Sequence, residues 1–309
     1  MNSTRLLAAV TVLWIGMTSA ASHASGAGPS TELSNARIDD IDANYASLRV
    51  RNCTNGCGGE SLLVAVRDAG EQKELKTFKT GDHAVIQITK DGDQFVLQTI
   101  GIRTVPVSSW RRLAVLTIAA LGLFLLSAVL TKFHPLRLVL GQDNRYSDSK
   151  SQMAVWFFVG IVTYIAAVYL RATSAGSEFL GGANIPQNLL LLSGMSALSF
   201  AGAKGITTNK IQNAVEQGVT DPKPSARAPS FWNLVQDDKG NFDIGDFQML
   251  VVTLLAVGMY LVLVFHFLGT LEMRRTIDLP DLDTTILAAF GLGQGAYLAK
   301  KAAGTPGES

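Results

Sequence analysis

Few residues in this chain have the types and spacing that chemistry requires. Its 309 residues include two cysteines and four scattered histidines, so no set of side chains has the spacing of a metal site. No serine, cysteine or aspartate stands with a base in a pattern typical of a nucleophile. We therefore predict no catalytic residue, no metal and no cofactor, and a protein that is not an enzyme. A membrane enzyme is accordingly the least favoured function.

The two cysteines, Cys53 and Cys57, lie in the glycine-rich stretch NCTNGCGGES. A redox pair has two intervening residues at a helix start, whereas three intervening residues in a loop suit a structural link. Disulfides persist in oxidising compartments. We predict a disulfide between Cys53 and Cys57 in an exported domain.

An acidic cluster at Asp237, Asp238, Asp243 and Asp246 has the ligand type that calcium prefers. Its spacing departs from an EF-hand, because glycine and phenylalanine stand where oxygen ligands belong and a terminal glutamate is missing. Asp243 precedes an apolar run, as Ser147 does ninety-six residues earlier. We interpret both as helix N-caps.

Gln294, Ser196 and Ser199 are polar residues within apolar stretches. An amide buried in hydrocarbon must bond another helix or face water. Two interpretations follow: the three residues line a polar pathway, or Gln294 forms an interhelical hydrogen bond.

Small residues recur at helical spacing in two of the apolar stretches. They are Gly194, Ala197 and Ala201 in one, and Gly291 and Gly295 in the other. Such residues let two helices approach closely, so we predict that both sets pack against neighbouring helices. The GLGQG motif is not interpreted as a phosphate loop, because no strand precedes it.

The composition places these residues in a membrane. Hydrophobic residues make up 48% and charged residues 17% of the chain, which departs from soluble proteins. The net charge of +1 gives no electrostatic reason to expect nucleic acid as a partner. The expected partners are the lipid bilayer, a second copy in a homo-oligomer, and a periplasmic or membrane protein.

A motif that occurs twice organises the apolar part. At a constant spacing of ninety-six residues, the first copy has Tyr146, Gln152, Met153 and Tyr164, and the second has Phe242, Gln248, Met249 and Tyr260. Each copy continues through a polar break into a second apolar stretch. The pattern predicts two tandem homologous helical hairpins.

The N-terminal third is predicted to be exported. Residues 1–24 have the charge, apolar run and small residues of a signal peptide, with an uncleaved anchor as the alternative. Residues 25–35 are predicted to be a linker. Residues 36–108 alternate with a period of two between turn motifs, which predicts a small all-β domain, a barrel or a sandwich. An OB-like barrel is one form of it, without the aromatic and basic surface of a nucleic-acid binder.

The remainder predicts a membrane α-helical bundle of about five spans. The first transmembrane helix is expected at 112–131, hairpin repeat A at 141–204, a cytoplasmic linker at 205–236, hairpin repeat B at 237–301 and a tail at 302–309. More lysines and arginines flank the side opposite the β domain than the side that bears it. This bias predicts a bacterial inner-membrane protein with a periplasmic N-terminal domain and a cytoplasmic C-terminus.

Lys150 and Asp246 each lie two residues before a paired glutamine of the two repeats. Equivalent helix starts should reach the same depth in a parallel duplication, so we hypothesise that these opposite charges pair. Two independently solvated charges are the alternative.

The favoured function is a non-enzymatic channel or transport-related component, alone or as an oligomer. The alternative is a receptor or scaffold whose exported β domain binds a partner or ligand.

Overall fold

The structure, a computed structural model, describes residues 30–141, 143–220, 225–236 and 240–303. The predicted signal peptide, residues 25–29 of the predicted linker, Asp237, Asp238 and residues 304–309 of the tail lie outside the described residues.

The N-terminal part folds as a closed five-stranded barrel with the strand order β1-β2-β3-β5-β4. Its elements are β1 (Ser30–Ile41), β2 (Ser47–Asn52), β3 (Ser61–Ala65), α1 (Ala69–Leu75), β4 (His83–Asp91) and β5 (Gln94–Ile102). β3 and β5 pair in parallel, and the other neighbours are antiparallel. A barrel of this order, with its helix between β3 and β4, has the topology of an OB-fold.

Alternation explains why these segments close into a barrel. Ala36 and Ile38 on β1 and Leu48 and Val50 on β2 are completely or almost completely buried, while the residues between them are more exposed. Side chains of a strand point alternately to its two faces, so one set fills the barrel interior. Leu75, the last residue of α1, closes the core.

The barrel begins earlier than the sequence predicts. β1 starts at Ser30, inside the segment 25–35 that was expected to be a linker. Residues 30–33 pair with residues 86–89 of β4, so backbone hydrogen bonds extend the strand. These first residues are mostly exposed and polar, which is why they show no alternation of apolar side chains.

The rest of the described chain forms a bundle of long helices. They are α2 (Ser109–Leu130), α3 (Asp148–Ser174), α4 (Gln187–Glu216), α5 (Ile244–Phe267) and α6 (Thr284–Ala303). Four of the helices in the described part, α2 to α5, are long and apolar enough to cross a membrane. Four helices, rather than the expected five, therefore qualify by length and apolar content. α6 lies antiparallel to α5 in the same bundle, with its end beside the start of α5, but it is not apolar enough to qualify on its own. Its glycines, Gln294 and the paired Lys300 and Lys301 lower its apolar content.

α4 is longer than the predicted hairpin. It continues from the expected end at Lys204 to Glu216, so the first third of the predicted linker 205–236 is helical. The sequence here is polar and contains no proline before Pro222, and a polar segment can continue a helix once its apolar half is packed.

Two short 3-10 helices precede the paired long helices. They span Pro135–Val139 before α3 and Phe231–Val235 before α5. Isolated bridges follow both, joining Leu140 to Tyr146 and Gln236 to Phe242. Corresponding residues are again ninety-six apart, so the spacing of the sequence motif extends to elements that the apolar pattern did not predict.

Two small sheets form at the end of the bundle that meets the barrel, here called the barrel end. β6 (Thr104–Pro106) pairs with β8 (Thr270–Glu272), and β7 (Ala183–Asn184) pairs with β9 (Ile277–Asp278). The α3–α4 connection (residues 175–186) and the α5–α6 connection (residues 268–283) therefore meet here. The opposite end, where α3 and α5 begin, is called the distal end.

The centre of the bundle is filled with aromatic side chains. Trp156 on α3, Tyr260 on α5 and Phe290 on α6 are buried, and the Trp156 ring makes edge contacts with both of the others at 6.5 and 6.1 Å between centroids. Edge-to-face pairs of this kind stabilise a core. α3, α5 and α6 consequently form a packed centre, against which α2 and α4 lie.

Candidate functional site

Gln294 forms an interhelical hydrogen bond in the bundle centre. Its Nε2 donates to Oε1 of Gln152 on α3, and both side chains are buried. The bond ties α6 to α3 one turn away from Trp156. Gln248, which occupies the position of Gln152 in the second copy of the motif, is exposed. The sequence repeat placed Gln152 and Gln248 at equivalent positions, but it did not identify Gln152 as the partner of Gln294.

Ser196 and Ser199, the serines expected beside Gln294, are both buried on α4. Ser196 donates to the carbonyl of Leu192, one turn earlier on its own helix. Ser199 is also buried, on the same helix. A hydroxyl that bonds its own helix is already satisfied and does not require water. Among the described residues, Ser196 is thus bonded within α4 rather than to Gln294.

The predicted packing residues divide into two groups. A Cβ built at Gly291 would lie 3.4 Å from the Met195 sulfur, so α4 and α6 are in contact there. Gly194, Ala201 and Gly295 lie on exposed faces, and Ala197 is half-buried. No described atom lies within 4 Å of a Cβ built at Gly194 or Gly295, so these two glycines do not pack against another helix of this chain.

Gly202 makes the close contact that was assigned to its neighbours. A Cβ at this position would come within 3.3 Å of Leu298 on α6. The small-residue spacing indicated the face of α4 that carries Gly194 and Ala201. The face that contacts α6 is instead the one that carries Gly202.

The predicted pair of Lys150 and Asp246 is not formed. Lys150 Nζ donates to the carbonyl of Leu140 at 2.6 Å, and Asp246 contacts Lys300 Nζ at 3.3 Å. The last turn of α6 lies beside the first turn of α5, so a lysine from α6 reaches Asp246 before one from α3 can.

Lys300 joins Asp243 and Asp246 into an acid–lysine cluster. Asp243 caps α5 by accepting from the backbone N–H groups of Gly245 and Asp246, and it also accepts from Lys300. Burial raises the pKa of the Asp243 carboxyl, but the hydrogen bond from Lys300 and those from the helix N–H groups outweigh it, leaving the pKa below its ordinary value. The cluster therefore joins the start of α5 to the end of α6.

A basic cavity of about 340 Å³ opens at the distal end between α3, α4 and α6. Its charged lining residues are Lys150, Lys204, Lys301 and Asp143. The serine and threonine residues of its wall are Ser147, Ser149, Thr207, Thr208 and Ser225. The cavity has the size of a small-ligand site, and its lining combines lysines and hydroxyl groups with apolar side chains.

The junction is the set of contacts that holds the barrel to the α5–α6 connection. Met273 inserts between two barrel segments: its carbonyl accepts from His83 N–H, and its N–H donates to the Arg103 carbonyl, both at 2.8 Å. Arg275 N–H donates to Oδ1 of the buried Asp82 at 2.7 Å. Arg274 donates to the Thr77 carbonyl at 2.7 Å. The backbone of the bundle thus extends the barrel's own hydrogen-bond network.

Arg171, the last buried residue of α3, binds the same region from the side of the bundle. Its guanidinium is completely buried and donates to the carbonyls of Gly181, Arg274 and Arg275. A planar fork with five donors suits several carbonyls at once. The sequence around Arg171 does not reveal this role, because nothing local indicates which carbonyls surround the side chain.

His83 is a buried titratable group in the junction. Its Nδ1 lies 2.7 Å from Oδ1 of Asn35, and its Nε2 lies 3.3 Å from Glu178 of the α3–α4 connection. Burial lowers the pKa of His83 below its ordinary value, an effect that the charge of Glu178 opposes. The histidine contacts both the barrel and the bundle, so its protonation would act on their contact.

Cys53 and Cys57 are joined by a disulfide, as predicted. It closes the loop after β2, on the barrel. The described residues contain no group of three or more His, Cys, Asp or Glu side chains that could hold a metal ion.

Comparison with protein-family models, curated proteins and solved structures finds no match to this chain. Its class is therefore stated from its own architecture: a β barrel joined to a helical part with four helices able to cross a membrane.

Proposed function

We propose that the protein is a non-enzymatic, multi-pass membrane receptor or scaffold whose exported barrel binds a partner. The observation that carries this proposal is the junction. A barrel that is only anchored to the membrane needs no more than a linker. Here, hydrogen bonds of Met273, Arg275 and Arg171 that involve backbone groups hold the barrel against the bundle. Binding at the barrel would therefore act on the helices. The filled centre between α3, α5 and α6 argues against a pore within one chain.

The proposed orientation places the barrel in the periplasm and the distal end in the cytoplasm of a bacterial inner membrane. It is supported by the distribution of cationic residues among the described segments. The distal end carries Lys132, Arg137, Arg145, Lys150, Lys204, Lys210, Arg227, Lys300 and Lys301. The barrel end of the bundle carries Arg111, Arg112, Arg171, Arg274 and Arg275. The guanidinium of Arg171 is already hydrogen-bonded to backbone carbonyls. Cationic loops favour the cytoplasm.

We further propose that the bundle arose by duplication of a unit made of a 3-10 helix, a bridge and a helical hairpin. The recurrence of the two 3-10 helices and two bridges at the spacing of the sequence motif supports this. The two copies have diverged at their helix starts, because Asp243 is paired with Lys300 while Ser147 borders the basic cavity.

A channel formed between several copies is the second candidate. Its supporting observation is that small residues on two helices, Gly194 and Ala201 on α4 and Gly295 on α6, are exposed and could be covered by another copy. In that arrangement the pathway would run between protomers.

Two measurements on the full chain separate these functions. The first is ion flux into proteoliposomes, for which we expect no flux above empty vesicles. Conductance that disappears on replacing one of these exposed small residues, for example Gly295→Leu, would instead establish the channel. Gly293→Leu is the control, because two residues along α6 place it on nearly the opposite face of the helix.

The second measurement is the distance between spin labels at Lys90→Cys on the barrel and Glu216→Cys at the end of α4. The native cysteines are bonded to each other and do not compete for label. A barrel fixed by the junction gives one narrow distance distribution. A broad distribution would contradict the proposed coupling.

A further inference from the structure

We propose that the basic cavity binds a phosphate-bearing anionic group, and that its source is the headgroup of an anionic lipid. This inference concerns the distal end and does not depend on what the barrel binds; it shares with the proposed function only the placement of the bundle in a membrane.

The first argument is charge. Lys150, Lys204 and Lys301 face one acidic side chain, Asp143, so the formal charge of the lining is positive. Lys150 gives one of its three N–H groups to the Leu140 carbonyl and lies 5.9 Å from the Phe200 ring centroid. Its remaining donors can serve an anion, since an ammonium group has three. Lys204 is exposed on α4.

The second argument is the supply of neutral donors. Five serine and threonine residues line the cavity, and they come from the start of α3, from α4 and from the linker. Ser147 begins α3 without a side-chain cap, and Ser149 in its first turn is buried. Because the acidic Asp148 occupies the first turn of α3, the donors offered to an anion are the lysines and hydroxyl groups rather than the helix start itself.

The third argument is location. Phe200, Ala203 and Ile211 give one wall of the cavity an apolar surface. At the same end of the bundle, Trp232 is 71% exposed on the 3-10 helix before α5, where an amphipathic ring suits a membrane interface. A site that is cationic on one wall and apolar on another, between membrane helices at their cationic end, matches the headgroup and first acyl carbons of an anionic lipid.

The test uses the full chain in a neutral detergent, titrated in separate arms with dihexanoyl phosphatidylglycerol, with dihexanoyl phosphatidylcholine and with inorganic phosphate. Binding is read by calorimetry. We expect saturable binding of phosphatidylglycerol and none of phosphatidylcholine. Lys150→Gln with Lys204→Gln should weaken that binding by about 25-fold, since each lysine near an anionic headgroup contributes roughly a fivefold factor.

The matched control is Lys132→Gln with Arg137→Gln. It removes the same charge from the same end of the bundle, at exposed residues outside the cavity. Its binding should equal that of the parent chain. Lys204→Gln alone covers the case in which the double variant does not fold, because Lys204 is exposed.

Binding of inorganic phosphate with the same dependence on Lys204 would establish the anion site and overturn the lipid as its source. Equal weakening in the cavity variant and the control, or no saturable binding in any arm, would overturn the site itself. These outcomes are measured in detergent, so they are independent of ion flux and of the distances between barrel and bundle.

Discussion

Replacing Asp82 tests whether the barrel is fixed to the bundle by the junction. The side chain is 2% exposed. Its Oδ1 accepts from Arg275 N–H at 2.7 Å, across the junction, and its Oδ2 accepts from Lys79 N–H at 2.8 Å, within the barrel. Asp82→Ala removes both acceptors and leaves two N–H groups without partners. Asp82→Asn keeps one acceptor oxygen and places an NH₂ group where the other was.

The magnitude follows from the two bonds. A hydrogen bond to a charged group contributes about 1.5–3 kcal/mol, so two give about 3–6 kcal/mol before coupling between them is considered. Because the bonds share one carboxylate, we expect a loss of about 3–5 kcal/mol for Asp82→Ala and roughly half of that for Asp82→Asn. At about 2–4 °C per kcal/mol, the alanine variant should melt about 10 °C lower.

The assay combines thermal unfolding with hydrogen exchange in lipid nanodiscs. Exchange should rise at Arg275 and in the paired strands β6 and β8, while α3 stays protected. The control is Asp91→Ala, whose ion pair with Arg67 at 2.6 Å is exposed and contributes at most about 1 kcal/mol. If Asp82→Ala matches this control in melting and in exchange at the α5–α6 connection, the junction does not hold the barrel.

Three further outcomes are expected. Gly182→Ala should destabilise the chain by about 1–3 kcal/mol more than Gly181→Ala in thermal melts, because both have positive φ but only Gly182 would place a Cβ 2.0 Å from a carbonyl oxygen of the α5–α6 connection; equal losses would contradict that close approach. Burial lowers the pKa of His83, so its contribution to stability is complete above pH of about 6.5 and declines as pH falls toward the lowered value; exchange at the junction measures this, and an unchanged pH slope in His83→Gln would refute it. Replacing Cys53 and Cys57 by serine should destabilise the barrel by about 2 kcal/mol without unfolding the helices, which thermal melts followed in the two parts can check.

Local patterns predicted those features that local forces determine. The alternation at Leu48 and Val50 comes from one buried face of a strand, and the apolar run of α2 comes from a bilayer-length helix, so both are visible in a few residues. The disulfide was predictable because Cys53 has only Cys57 as a partner.

Features that depend on distant contacts were not predictable in this way. The start of β1 at Ser30 depends on β4, more than fifty residues away. Asp246 was assigned to Lys150 because their positions in the repeat correspond, but the direction of α6 brings Lys300 closer. Arg171 and Asp82 bind backbone groups, and a carbonyl or an N–H carries no signature in the sequence.

The span count failed for a related reason. α6 has Gln294 and two lysines, and the partners of Gln294 and Lys300 are supplied by α3 and by the start of α5. A count of apolar residues treats each helix as if it were alone in lipid. α6 instead has Phe290 and Gln294 buried against its neighbours and exposes small residues on its other side.

The central claim is that the barrel and the basic cavity lie on opposite sides of a membrane. Single cysteines at Lys90 on the barrel, at Glu216 at the end of α4 and at Ala303 at the end of α6 test it most directly, with a maleimide that does not cross membranes. We predict that position 90 is labelled in intact right-side-out vesicles, and that positions 216 and 303 are labelled only after permeabilisation. Labelling of position 216 or 303 from the same side as position 90 would contradict the account.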